Sequence, residues 1–363
     1  MKTLREDLQA LAEQAPTVDL AARAVRGARR RRVNRLVMAT AAVLCVVSGG
    51  GFTLLQQASP APQILFTPPE TTVLPLPEKG VGPAEQAYRP KCRRDGKPCA
   101  EDAWRIVTRE GDTYELAGAV TGPLAVTADG RRIAYYNSKQ RGIVVRDLAS
   151  GRTWKAPLKQ PEEDFAVEFT LRLSPSGLRF VVSGWGGRRE PNKLVDVERK
   201  TVTDLARGWW PVSVSDKSGP VVLAKPFNMT SQVWVLGHDP ITIQDFTYDY
   251  SALAPDGRRL VRLGQTVDPN RRPMVRRDGS IVIFDAISGG GETRVPISGL
   301  PEGLAPSRLG SWLNDTELTV LAEPQKPDGP TSAVYAVDVR TGESRELFAL
   351  RDDGPSVVPG LVR

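Results

Sequence analysis

What most constrains this chain is a short unit that keeps returning: an apolar strand, a tight glycine turn and a second apolar strand. It reads VTADGRRIAYY at 126–136, LSPSGLRFVVS at 173–183 and LAPDGRRLVRL at 253–263. Weaker copies are VSDKSGPVVLA at 214–224 and WLNDTELTVLA at 312–322. In the strong copies glycine supplies the positive φ of the turn, and the Asp or Ser before it bonds back to the backbone. Such a chain forms hairpins, each with an apolar face that must be covered by another.

A second unit alternates with the first. It is a hairpin with Asp and Gly four apart: IVVRDLASGRTW at 143–154, IVIFDAISGGG at 281–291 and AVYAVDVRTGESREL at 333–347. LVDVERKTVTDL at 194–205 keeps Asp196 but has Lys200 in the glycine position, and QVWVLGHDPITIQDF at 232–246 keeps only the hairpin pattern. One pair of units makes four antiparallel strands. Gly130, Gly177, Gly219 and Gly257 set the repeat, and 265–278 reads as an insertion before the last copy. Four-stranded modules at this spacing predict an all-β fold, a β-propeller over residues 104–363. Trp104–Leu116 reads as a lone hairpin, and Ser356–Leu361 is expected to pair with it and close the ring. Closure removes exposed sheet edges. Six blades result, with five as the alternative if the early hairpin only packs alongside.

These motifs resemble the TolB-like propeller repeat, a relative of WD repeats with a [ST]-P-D-G-[KR]-x-[LI] turn. Pro255-Asp256-Gly257-Arg258-Arg259-Leu260 matches it well. Ser174-Pro175-Ser176-Gly177 and Ala128-Asp129-Gly130-Arg131-Arg132-Ile133 match in part, and there is no WD dipeptide. The layout also looks like actinobacterial membrane proteins that join an Arg-rich arm to a TolB-like propeller. That resemblance implies a relay to a cytoplasmic regulator such as a sigma factor.

Ahead of the repeats, Leu36–Leu55 is an uncharged apolar stretch long enough to span about 30 Å as a helix. Arg29, Arg30, Arg31, Arg32 and Arg35 precede it, which puts residues 1–35 in the cytoplasm and the remainder outside the cell membrane. Residues 1–35, with Leu4, Leu8 and Leu11 at helical spacing, read as a basic helical arm. Residues 56–103 read as an extended extracytoplasmic linker, proline-rich to residue 90. In it, Cys92 and Cys99 flank a turn; an oxidising compartment favours a disulfide, and two free thiols are the other reading. The net charge of +7 resides mainly in the arm, which holds nine Lys/Arg against four Asp/Glu, so nucleic acid is not an expected partner.

Chemistry is harder to find. A Ser-His-Asp triad needs a histidine, and the single one, His238, sits in VLGHDP and reads as a hairpin-turn residue at a blade rim. There is no G-x-S-x-G elbow or P-loop, and neither cofactor nor metal is expected. The chain is expected to be a binding domain and not an enzyme. A surface hydrolase or lyase using the propeller channel and a passive scaffold are the alternatives. Loop aromatics and arginines are the candidate contacts for a protein or envelope polymer: Trp185, Arg188, Arg189, Trp209 and Trp210. The other reading of these tryptophans, and the commoner role of large side chains in propellers, is packing between adjacent blades.

Overall fold

A computed structural model describes residues 72–90, 93–94, 97–98, 103–119, 122–159, 169–184, 187, 191–227, 229–247, 249–267, 275–351 and 355–361. The chain divides between Pro68 and Pro69, and every described residue lies in the second unit. The helical arm, the membrane segment, Arg29, Arg30, Arg31, Arg32, Arg35, Cys92 and Cys99 fall outside the described residues. Among the described residues no helix is long and apolar enough to cross a membrane.

The fold is a six-bladed β-propeller. The second blade runs from its inner to its outer strand as Leu124–Val126, Arg132–Asn137, Gly142–Asp147 and Thr153–Lys159. The third is Phe169–Leu173, Arg179–Gly184, Lys193–Asp196 and Thr201–Asp204. The fourth is Trp210–Val214, Val221–Phe227, Thr230–Val235 and Ile241–Ile243. The sixth is Leu304–Trp312, Glu317–Pro324, Ala333–Asp338 and Ser344–Ala349.

Two blades depart from that plan. The fifth has three strands, Arg259–Val267, Val275–Asp285 and Thr293–Pro296. The segment expected to be an inserted loop is partly strand, since Gln265, Thr266 and Val267 pair with Arg277, Arg276 and Val275. The first blade has five strands: Ser356–Val357 innermost, then Ala84–Tyr88, Arg105–Thr108, Thr113–Glu115, and Val73–Pro75 in parallel at the edge. The C-terminal segment does close the ring, but against Ala87 and Tyr88 and not against the Trp104–Leu116 hairpin. Residues 73–88 therefore belong to the propeller, although their prolines give them the composition of linker. Pro75 can lie in a strand because it sits on the sheet edge, where no ladder donor is needed.

Burial explains why the middle strands read as continuous apolar runs. Blades pack face to face, so Ile133–Tyr136 and Ile143–Val145 are covered on both sides, whereas the outer strand Thr201–Asp204 is exposed throughout. One apolar cluster fills each junction between blades. Ile106 and Leu116 meet Ile133; Val145 meets Phe180; Val181 meets Leu223; Val233 meets Leu260 and Phe284; Ile281 meets Leu318 and Tyr335; Leu321 and Val334 meet Val358.

The turns behave as their residues require. Gly130, Gly177 and Gly257 adopt φ near +70° to +75°, and Asp129 and Asp256 accept hydrogen bonds from the N–H groups of Arg131 and Arg258. Lys200, standing where the glycine is missing, also adopts positive φ, at 55°. The weak copy at 214–224 differs: its left-handed residue is Lys217 and not Gly219.

Candidate functional site

The six innermost positions enclose a cavity of about 730 Å³ along the propeller axis. It extends from the beginnings of inner strands, at Gly122 and Phe169, to the turns at Ala128, Pro175 and Pro255. Its walls are mostly apolar, including Leu124, Leu171, Val212 and Trp312, with serine and threonine hydroxyls between them. That size and mixture match small-molecule sites in general.

Two arginines line this channel, and none of its described lining residues is Asp or Glu. Arg172, in the inner strand of the third blade, is buried; its Nε donates to the Pro211 carbonyl at 3.1 Å. Arg89 follows directly after Ala84–Tyr88 and is tied in place through its backbone N–H, which donates to Pro355 O at 3.0 Å. Its guanidinium lies 5.0 Å from the centre of the Trp104 ring and makes one long hydrogen bond, from Nη2 to Gly122 O at 3.4 Å. Burial lowers the pKa of Arg89 from the usual guanidinium value. Three polar atoms of the cavity wall, Arg89 Nε, Trp104 Nε1 and Thr170 Oγ1, are buried without hydrogen-bond partners among the described residues.

Of the residues anticipated as contacts, Trp209 is buried between the third and fourth blades, where its ring meets Trp234 at 5.3 Å and its carbonyl accepts from Asn192 Nδ2. Trp210 opens the fourth blade's inner strand and is half-buried. Trp185, Arg188 and Arg189 lie outside the described residues. His238 occupies a hairpin turn, its N–H donating to Val235 O and its carbonyl accepting from Trp234 Nε1. Among the described residues no group of three or more His, Cys, Asp or Glu could hold a metal.

Arg89 and Trp104 were not anticipated. Arg89 stood in a proline-rich stretch read as linker, and Trp104 at the edge of a lone hairpin. Only ring closure brings them to the axis.

No protein-family model and no curated protein matches the chain. Solved structures share its fold. TolB from Acinetobacter baumannii is 13% identical over 76% of this chain and 67% of its own, with a TM-score of 0.45. A putative TolB from Agrobacterium tumefaciens is 10% identical over 78% and 92%, at 0.46. Oligogalacturonate lyase from Vibrio parahaemolyticus is 13% identical over 75% and 80%, at 0.40. The propeller is established by this chain's own sheets, and TolB is among the structures it is similar to. The expectation that it is not an enzyme is corrected: propellers of similar fold include enzymes, and missing sequence motifs do not exclude catalysis on this scaffold.

Proposed function

We propose that this chain is a membrane-tethered, extracytoplasmic recognition module, which takes its ligand at the channel face of the propeller. The observation that carries the reading is the axial cavity, with Arg89 and Arg172 in an otherwise largely apolar wall. A fixed charge amid apolar surface is what selective binding sites generally present. The tether rests on Leu36–Leu55 and the arginines before it, which support a single-pass anchor with the N-terminus in the cytoplasm. In this reading the propeller contacts an envelope protein or polymer, and the arm relays occupancy to a cytoplasmic regulator, a role that rests on the resemblance of the layout to membrane-anchored propellers.

Crosslinking in intact cells, followed by recovery of the full-length chain from its own membrane, tests this reading. It should yield an envelope component crosslinked to the propeller, and protease added outside the cells should degrade the propeller but spare the arm. A propeller protected in intact cells would overturn the orientation. Recovery of no envelope component would overturn recognition.

A further inference from the structure

We propose that the channel mouth at Arg89 binds an anionic head group, a carboxylate or phosphate, carried on a small apolar body. This deepens the recognition reading given above and rests on it. The first support is charge without a counter-charge. Arg132, Arg258 and Arg262 are ion-paired with Asp147, Asp285 and Asp245, whereas Arg89 has no ion pair among the described residues. An unpaired cation in a partly desolvated wall binds an anion more strongly than the same cation in water.

Presentation is the second support. Trp104 lies beneath the guanidinium, and the backbone of Arg89 is fixed to Pro355, so the cation is held in one place before any ligand arrives. A held cation loses little side-chain freedom on binding. Tyr88 pairs with Arg105, which puts the residues on either side, Arg89 and Trp104, at one end of the first blade. Gly122 and Phe169–Thr170 also mark the ends where their inner strands begin. Thr170, with an unpaired hydroxyl, is therefore a second polar group in the wall of this channel.

The third support is the remainder of the wall. Leu171, Val212 and Trp312 offer apolar surface further along the same cavity, and none of the described lining residues would repel an anion. A head group at Arg89 with an apolar body directed down the axis satisfies both parts.

The test uses the full-length chain in detergent, titrated calorimetrically with phenyl phosphate, phenylacetate and benzyl alcohol. At least one of the two anions should bind about tenfold or more tightly than the neutral alcohol, the size expected of a charge-assisted contact. Whichever anion binds better identifies the head group. Arg89→Gln should abolish the preference, Arg89→Lys should retain most of it, and Arg340→Gln, on an exposed outer turn, should leave it unchanged. Should Arg89→Gln fail to fold, rising salt must weaken anion binding to the wild-type chain while sparing the alcohol. Equal binding of alcohol and anions, binding of none of the three, or unchanged binding to Arg89→Gln would overturn the proposal. If the anions fail while crosslinking still recovers an envelope component, the ligand class falls and the recognition reading stands.

Discussion

The first and fifth blades meet the same requirement in opposite ways. Each needs something at the innermost position, where exposed N–H and C=O groups would otherwise face the channel. The first blade fills it with backbone from the far end of the chain, Ser356–Val357, paired with Tyr88 and Ala87. The fifth has no inner strand there. Tyr250 makes one isolated bridge to Arg262, Ser251 N–H donates to Val261 O at 2.8 Å, and the Ser251 hydroxyl accepts from Val261 N–H at 3.0 Å. The Arg262 side chain, only 5% exposed, is ion-paired with Asp245 and, at 3.3 Å, with Glu292. At this inner edge the ladder is thus reduced to one bridge completed by a side-chain hydroxyl, while the buried Arg262 charge is matched by carboxylates that lie beside the outer strands.

Deleting 356–363 strikes the first blade and should have the largest effect. It removes Val357, Val358 and Leu361 from the apolar clusters, so stability should fall by roughly 5 kcal/mol in urea unfolding. An unchanged midpoint would mean that the ring does not depend on its closing strand. Arg262→Met strikes the fifth blade by leaving Asp245 without its cation, and should cost about 3 kcal/mol. Adding Asp245→Leu should recover part of that loss. If the single substitution is neutral, the buried ion pair does not help to hold the three-stranded blade.

The smallest effect concerns acid. Asp285, on the outer hairpin of the fifth blade, is partly buried, which alone would raise its pKa. Hydrogen bonds from Ser288, Arg258 and Ile287 outweigh burial and hold it at about 2. A carboxyl lowered in the folded state contributes stability above its unfolded pKa of about 4 and loses it as pH falls toward 2. Asp285→Asn should therefore lower stability by about 1 kcal/mol near neutral pH and flatten the acid-induced loss measured by thermal melts. An acid profile identical to that of the wild-type chain would show that this turn makes no contribution.

Much of the fold could be read from individual residues. The glycines at 130, 177 and 257 and the aspartates at 129, 256, 147, 285 and 338 announced the turns, because a positive φ and an Asx bond are local requirements. The site was less legible. Val73–Pro75 and Ala84–Tyr88 carry prolines and polar residues that disguise them as linker, since what stabilises them is pairing with strands distant in the chain. Trp209 illustrates a related limit: from sequence it could be a loop contact or a residue packed between blades, and the structure decides for packing.

The amino-acid order by itself determined that the chain would form hairpins of a given length, repeated often enough to make a ring of five or six blades, because turn chemistry and apolar alternation act over a few residues. Which segments fill the innermost positions, and which arginines come to the axis, was decided only in three dimensions. Those outcomes depend on where the ring closes and on what covers each charge, and both are properties of contacts between residues far apart in the chain.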